Sequence, residues 1–352
     1  MGCFCCCCCC CRKKIQNKDI PLSFSIESLG NFKQIKVLGQ GKFGKVYLVE
    51  NQDTKQFYAM KRIKKSDLIT EKLRKSVKTE KQILETVSHP FIVKLYHCFQ
   101  DNSNIYFITD FIQGGQLFLF LKKNPQLKEN QAKFYLSEIL LGLEYLHDKN
   151  YIYRDLKPEN ILIDKDGHIK LTDFGLSKTL EENDLTYTIC GTLSYEAPEI
   201  RLKKGYNKMC DWWSFGIIMF EMLAGYKPFN IQNNSDINVY KEIKWCDDIK
   251  KDAKDLISKL LVVEPEKRIG CNNINEIKNH SFFKSVNFEK IYNKKEIPPF
   301  IPNIEGELDL KYFNSQYTEM ELQTFPAQKI MDTNFNFDKE FEGFDFPGNN
   351  DF

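Results

Sequence analysis

The sequence predicts an α+β, bilobal architecture: a small antiparallel-sheet lobe with one main helix, a larger and mostly helical lobe, and an extended C-terminal tail. Three observations carry that expectation. Residues 32–112 combine strand-period runs with a single helical stretch. A Gly114-Gly115 pair then breaks the chain. Beyond that pair the chain reads as helical to about Phe283, after which a segment rich in Phe and Asn runs to Phe352. The expected divisions are 1–31 for a Cys-rich extension, 32–283 for the two-lobed domain (32–113 and 114–283), and 284–352 for the tail.

The first lobe can be justified element by element. Residues 32–37 alternate apolar and polar, a glycine-rich turn comes next, and residues 46–49 form the return strand. Residues 57–63 are a further alternating run. Helical spacing begins near Ser66 and continues to Val87, with Leu73, Val77, Leu84 and Val87 on the inner face. Glu80 lies on that same apolar face, and an inward carboxylate needs a cationic partner. A strand over 105–112 closes the first lobe. Further on, residues 163–169, centred on Asp166-Gly167, read as a hairpin between two short strands. A calcium loop would need a third acidic position and a terminal Glu, and both are missing.

At 352 residues, the chain is long enough for a large domain with extensions, and 42 % hydrophobic content is ordinary for a globular protein. A net charge of +2 gives no reason to expect nucleic acid as a partner. No apolar run approaches the ~18 residues of a membrane-spanning helix. The 13 cysteines are unevenly placed. Cys98, Cys190, Cys210, Cys246 and Cys271 are scattered and read as reduced and cytosolic, while the other eight crowd the N-terminus.

Gly39-Gln40-Gly41-Lys42-Phe43-Gly44-Lys45-Val46 has three glycines spaced to bring backbone amides over phosphates. The turn leads into another strand rather than a helix, which argues against a dinucleotide-binding turn. The next long strand carries Ala59 and Lys61 on one face; Val46 and Ala59 can sandwich an adenine, and Lys61 can answer the inward charge of Glu80. Tyr153-Arg154-Asp155-Leu156-Lys157-Pro158-Glu159-Asn160 supplies the remaining chemistry. Asp155 can orient a substrate hydroxyl, Lys157 can neutralise a transferring phosphoryl, and Asn160 together with Asp173 of Asp173-Phe174-Gly175 can ligate magnesium.

These ordered motifs resemble the AGC group of serine/threonine protein kinases, from Phe32 through the tail. Supporting motifs are Cys190-Gly191-Thr192, Asp211-Trp212-Trp213 and Pro299-Phe300-Ile301-Pro302. The resemblance implies ATP and Mg2+ as cofactors, protein substrates, an upstream activating kinase and a monomeric catalytic unit. A pseudokinase scaffold is the alternative. The resemblance also implies that Thr192 contacts Asp155 and Lys157, and that Glu199 pairs with Arg268. Leu84, Leu95, Tyr153 and Phe174 should stack between the lobes. Thr109 should guard the back of the adenine pocket, with Asp110, Ile112, Gln116 and Leu162 among the nucleotide contacts. Thr188 matches an activation-loop phosphosite, with Arg154 or Lys178 as phosphate partner, and Thr324 a turn-motif phosphosite. Tyr312-Phe313 resembles the tail's adenine-contacting segment.

The residues at Phe341-Glu342-Gly343-Phe344-Asp345-Phe346 resemble the hydrophobic motif, with Asp345 where a phosphorylatable residue is usual. Glu159 and Glu221 match positions that read an Arg two residues before the target. Gln116 replaces the Glu that reads one three before. The segment Gly191-Thr192-Leu193-Ser194-Tyr195-Glu196 replaces the commoner Gly-Thr-Pro-Glu-Tyr-Leu.

At the N-terminus Gly2 is followed by Cys3, Cys5 to Cys11 and the basic triplet Arg12-Lys13-Lys14. This pattern fits myristate on Gly2 and palmitate on Cys3 and its neighbours, placing a cytoplasmic protein on a membrane face. Position 6 is Cys6 rather than the usual Ser or Thr. Disorder is the second reading, and a metal cluster the third, since consecutive cysteines lack structural-zinc spacing.

Overall fold

The computed structural model describes residues 29–41, 44–180, 185–188, 191–230, 237–240, 242–322 and 337–346. Gly2, Cys3, Lys42, Phe43 and Thr324 therefore lie outside the described residues.

Five strands, β1 (Phe32–Gly41), β2 (Gly44–Asn51), β3 (Phe57–Lys64), β4 (Leu95–Gln100) and β5 (Asn104–Asp110), form an antiparallel sheet in the order β1-β2-β3-β5-β4. One face buries Val37, Tyr47, Val49, Tyr58, Met60, Phe99, Tyr106 and Ile108. The other packs on helix α1 (Glu71–Thr86). That helix starts later than its spacing predicts. Thr70 is extended, and its hydroxyl accepts the amide of Leu73, so it caps the helix, leaving 65–67 as a separate tight turn. The inward face of α1 is Val77, Glu80, Ile83 and Leu84.

Strand β4 is absent from the sequence expectation. A register shift between Leu95 and His97 breaks the period-two pattern that would have revealed it. The strand expected over 105–112 ends at Asp110, where the chain leaves the sheet for the second lobe.

The second lobe is built on α2 (Leu117–Lys123), α3 (Glu129–Asp148) and α5 (Met209–Ala224), with the short α4 (Pro198–Arg201) between and α6 (Lys251–Leu260) against α5. Helix α5 is buried on all sides except at Glu221, with Trp212 and Trp213 fully enclosed. Two-stranded ribbons β6 (Tyr151–Ile152) with β9 (Lys178–Thr179), and β7 (Ile161–Ile163) with β8 (Ile169–Leu171), lie over α3 and carry the functional loops. The expected hairpin is β7–β8, turned by Gly167 at φ +89°. Among the described residues no helix is long and apolar enough to cross a membrane.

The tail crosses both lobes. Phe300 packs on Phe120 with ring centroids 4.8 Å apart, and Phe313 stacks on Phe111. Gly115, at φ +78°, has no room for a side chain because a Cβ would come within 2.4 Å of the Tyr312 carbonyl oxygen. Farther on, Phe341 and Phe344 are buried between α1 and the sheet edge. Phe344 meets Phe107 edge-on, Lys78 pairs with Glu340 at 2.5 Å, and Cys98 and Phe346 exchange backbone hydrogen bonds. The tail's phenylalanines thus dock beside the helix that carries Glu80.

Candidate active site

The cleft floor starts at Lys61 on β3. Its ammonium donates to Glu80 of α1 at 2.7 Å and to Asp173 at 3.0 Å. Burial opposes the charge on Lys61, but Asp173 and Glu80 more than offset it and raise its pKa. Burial would also raise Asp173; Lys61 and the Gly175 amide pull its pKa below the ordinary value instead. Asp173 is held at φ +60°, a left-handed conformation uncommon outside glycine. The next residue, Phe174, is fully buried and meets Tyr153 at 5.3 Å. Leu84, Leu95, Tyr153 and Phe174 all belong to one continuous buried cluster, as expected of a stack between lobes.

The loop after β6 is fixed from below by Asp211 of α5. Its carboxylate accepts the backbone amides of Tyr153 at 3.0 Å and Arg154 at 2.8 Å, and contacts His147 at 2.8 Å. Arg154 sits at φ +66°, so these bonds hold a conformation that costs energy by itself. Asp211 appeared in the sequence only as part of a motif. The signal for its role was a carboxylate in a largely apolar helix whose only other acid is Glu221.

Asp155 is the centre of the arrangement. Lys157 donates to its Oδ2 at 2.7 Å, Asn160 to the same oxygen at 2.8 Å, and Thr192 to Oδ1 at 3.2 Å. Lys157 also reaches the Thr192 hydroxyl at 2.8 Å. Burial raises the pKa of Asp155, and Lys157 and Asn160 work against that rise. Asn160 spends its amide nitrogen on Asp155 and leaves its amide oxygen for a cation. Asp155, Lys157, Asn160 and Thr192 are linked by direct contacts, as are Lys61, Glu80 and Asp173, and the two sets face one cleft.

The other residues expected at the nucleotide have the following places in the fold. Gly44 has φ +133°, and a Cβ there would lie 1.9 Å from the Arg62 carbonyl oxygen, whereas Gly39 and Gly41 face open space. Val46 pairs with Lys61, and Ala59 with Leu48. Thr109 lies opposite Ala59 on β5. Ile112 is buried beyond the strand end, and Gln116 pairs through its backbone with Leu162. At the hinge position Asp110 the carboxylate turns to Lys170 at 3.0 Å, Tyr96 at 3.0 Å and the Lys94 amide. The opposite faces of successive strand residues explain this, so Asp110 offers the cleft only backbone.

Glu199 and Arg268 form a fully buried two-pronged pair at 2.8 and 3.0 Å. Arg154 binds the carbonyls of Leu176 and Ser177 and the Tyr206 hydroxyl, which in turn donates to the Thr188 carbonyl. Thr188 thus stands one residue from Arg154's reach. Glu221 accepts the Tyr195 hydroxyl at 2.7 Å, and Glu159 lies close enough to raise its pKa further after burial.

The protein kinase domain family matches residues 32–283. The cAMP-dependent protein kinase catalytic subunit of Dictyostelium discoideum is 42 % identical over 90 % of this chain and 49 % of its own length. Sgk1-A, a serine/threonine-protein kinase of Xenopus laevis, is 43 % identical over 82 % of this chain and 68 % of its own. The cAMP-dependent protein kinase type 3 of Saccharomyces cerevisiae is 42 % identical over 84 % and 75 %. The chain thus spans about half the length of the Dictyostelium relative and three quarters of the yeast one. With its five-stranded small lobe, helical large lobe and this shared sequence, the chain belongs to the protein kinase family, in its AGC serine/threonine group.

Proposed function

We propose that the chain transfers the γ-phosphoryl group of ATP to serine and threonine hydroxyls of protein substrates with basic residues near the target. One observation carries the reading: the Asp155 carboxylate is held by Lys157, Asn160 and Thr192 in the same cleft as the Lys61–Glu80–Asp173 cluster. Asp155 accepts the hydroxyl proton of the target and aims its oxygen; its raised pKa, set by burial, suits a group that must bind a proton briefly. Lys157 sits where it neutralises charge on the phosphoryl in flight, and Thr192 keeps both aligned. Lys61, held by Glu80, is placed to take the α- and β-phosphates under the Gly39–Gly44 turn.

Asp173 and Asn160 are the residues that would hold magnesium, since both present hard oxygen donors to the cleft. Magnesium bound there supplies charge neutralisation along the phosphates. Every group a scaffold-only pseudokinase would lack is present.

Glu159 has a buried carboxylate oxygen with no partner, and no ion pair among the described residues joins it or Glu221 to a base. Two such carboxylates side by side favour an arriving arginine. Thr188 is the site for an upstream kinase. Acylation of Gly2 and Cys3 with its neighbours would keep the protein on the cytoplasmic face of a membrane; a second lipid makes attachment stable.

The deciding experiment is magnesium-dependent phosphorylation of an arginine-containing peptide by wild type, Asp155→Asn and Lys61→Met. Both variants should lose at least about a hundredfold in rate. Equal turnover in all three would refute the assignment. Fractionation beside Gly2→Ala tests the anchor: a wild type that stays wholly soluble rules it out.

A further inference from the structure

Residues 185–188 are held by contacts that need no phosphate. Tyr206, in the loop before α5, is 2 % exposed, and its backbone pairs with Thr186 in both directions, amide to carbonyl at 2.9 and 3.0 Å. Thr186 is buried as well. Gly205 lies so close to the same segment that a Cβ there would come within 2.6 Å of the Leu185 side chain and 3.0 Å of the Tyr187 ring. Residues 205 and 206 thus form a cradle for 185–188, and the cradle requires glycine at one of its two positions.

The Tyr206 hydroxyl extends the cradle to the catalytic loop. It donates its proton to the Thr188 carbonyl at 2.5 Å, and its oxygen accepts from Arg154 Nη1 at 3.3 Å. The two bonds run in one direction, from cation through hydroxyl to carbonyl, so each polarises the other. Arg154 directly precedes Asp155, and its other hydrogen bonds go to the carbonyls of Leu176 and Ser177, just after Asp173-Phe174-Gly175. One phenol therefore joins the segment that carries Thr188 to the loop that carries Asp155 and to the stretch that follows Asp173. Arg154 gives one N–H from each of its three nitrogens to these neutral acceptors. A guanidinium has further N–H groups, and these can take a phosphate on Thr188 by a route that does not pass through Tyr206.

We propose that Tyr206 is the positioning residue of the unphosphorylated enzyme: its hydroxyl orders the Thr188 segment on Arg154 and gives the unmodified chain a working cleft at reduced rate. This rests on the reading of Thr188 as the phosphorylated residue. A phosphate there makes stronger, charge-assisted bonds to the same guanidinium, so the hydroxyl becomes dispensable once the phosphate is present. The gain that phosphorylation brings is accordingly limited by what Tyr206 already supplies.

The test measures kcat and KM of the full chain for an arginine-containing peptide, with Tyr206 intact and as Tyr206→Phe, each either phosphorylated on Thr188 or carrying Thr188→Ala. Thr188→Ala removes the phosphate acceptor and keeps the backbone carbonyl that Tyr206 holds. Tyr206→Phe removes only the hydroxyl. In the Thr188→Ala background it should lower kcat by about tenfold, the worth of one hydrogen bond. In the phosphorylated background the same change should cost less than about twofold. A merely structural role would lower both backgrounds by the same factor, so equal losses overturn the proposal. No loss in the Thr188→Ala background overturns it too, as does a Thr188→Ala enzyme with intact Tyr206 and no measurable rate beside an active phosphorylated wild type. Should phosphorylation leave the wild-type rate unchanged, the reading of Thr188 fails, and the loss in the Thr188→Ala background still decides the role of Tyr206. Failure of every form to phosphorylate the peptide would overturn the kinase assignment and this inference with it.

Discussion

Replacing Phe344 by Ala should undock the C-terminal tail and depress activity from a distance. The ring is 4 % exposed, meets Phe107 and Phe341 edge-on at 6.0 and 5.3 Å, and lies under the Lys81 ammonium at 5.4 Å. Truncating a buried Phe to Ala costs about 3–5 kcal/mol in a closed core. At the sheet edge the lower figure, about 3 kcal/mol, is appropriate, equivalent to roughly a hundredfold in the docking equilibrium. The loss reaches the cleft because the docked segment grips α1 directly, through Glu340 to Lys78, two residues before Glu80. Once α1 is released, Glu80 holds Lys61 less well, so KM for ATP should rise and kcat fall. The assay is steady-state peptide phosphorylation beside thermal melting, with a free peptide of the 337–346 sequence added to the variant. That peptide should restore part of the lost rate. Unchanged kinetics and melting in Phe344→Ala would refute the coupling between tail and helix.

Three other contacts lead to measurable outcomes. Thr188→Ala should leave a folded enzyme whose rate does not rise with an activating kinase, whereas wild type gains through new bonds to Arg154; equal activation of both would remove Thr188 from the switch. Arg268→Leu leaves Glu199 buried and unpaired, and urea denaturation should show a loss of about 3–5 kcal/mol; a loss under about 1 kcal/mol would mean that the pair is not a support for the lower lobe. His89 is held neutral, its pKa depressed from 6.5 to about 4 by burial and by Lys170, and its Nδ1 accepts the Phe91 amide. Between pH 6.5 and about 4 the unfolded chain binds a proton that the folded one does not. Stability should therefore drop as pH falls through that window, by up to about 3 kcal/mol, and His89→Gln should flatten the drop in denaturation curves.

The cleft was legible in the sequence because its chemistry depends on fixed spacings within short segments. Lys61 shares a strand face with Ala59, Glu80 falls on the apolar stripe of α1, and Asn160 follows Asp155 by one tight turn. What escaped depends on geometry that spacing does not encode. Strand β4 was hidden by the register shift at Leu95 and His97. The start of α1 was decided by one hydroxyl, Thr70, against a pattern that continued through Leu68. The direction of the Asp110 carboxylate required knowing that the chain leaves the sheet there, and the support from Asp211 joins residues 57 and 58 positions apart.

The course of the tail has a practical meaning for anyone preparing the protein. The stretch 32–283 that matches the kinase domain family is not a self-sufficient unit for recombinant work. Cutting the gene after Phe283 would strip Phe300 from Phe120, Tyr312 from Gly115 and Phe344 from Phe107, baring aromatic rings on both lobes at once. Such a fragment presents sticky surface to its neighbours and invites aggregation during purification, a failure easily mistaken for an inactive enzyme. A gene meant for expression should therefore run through Phe346 at least.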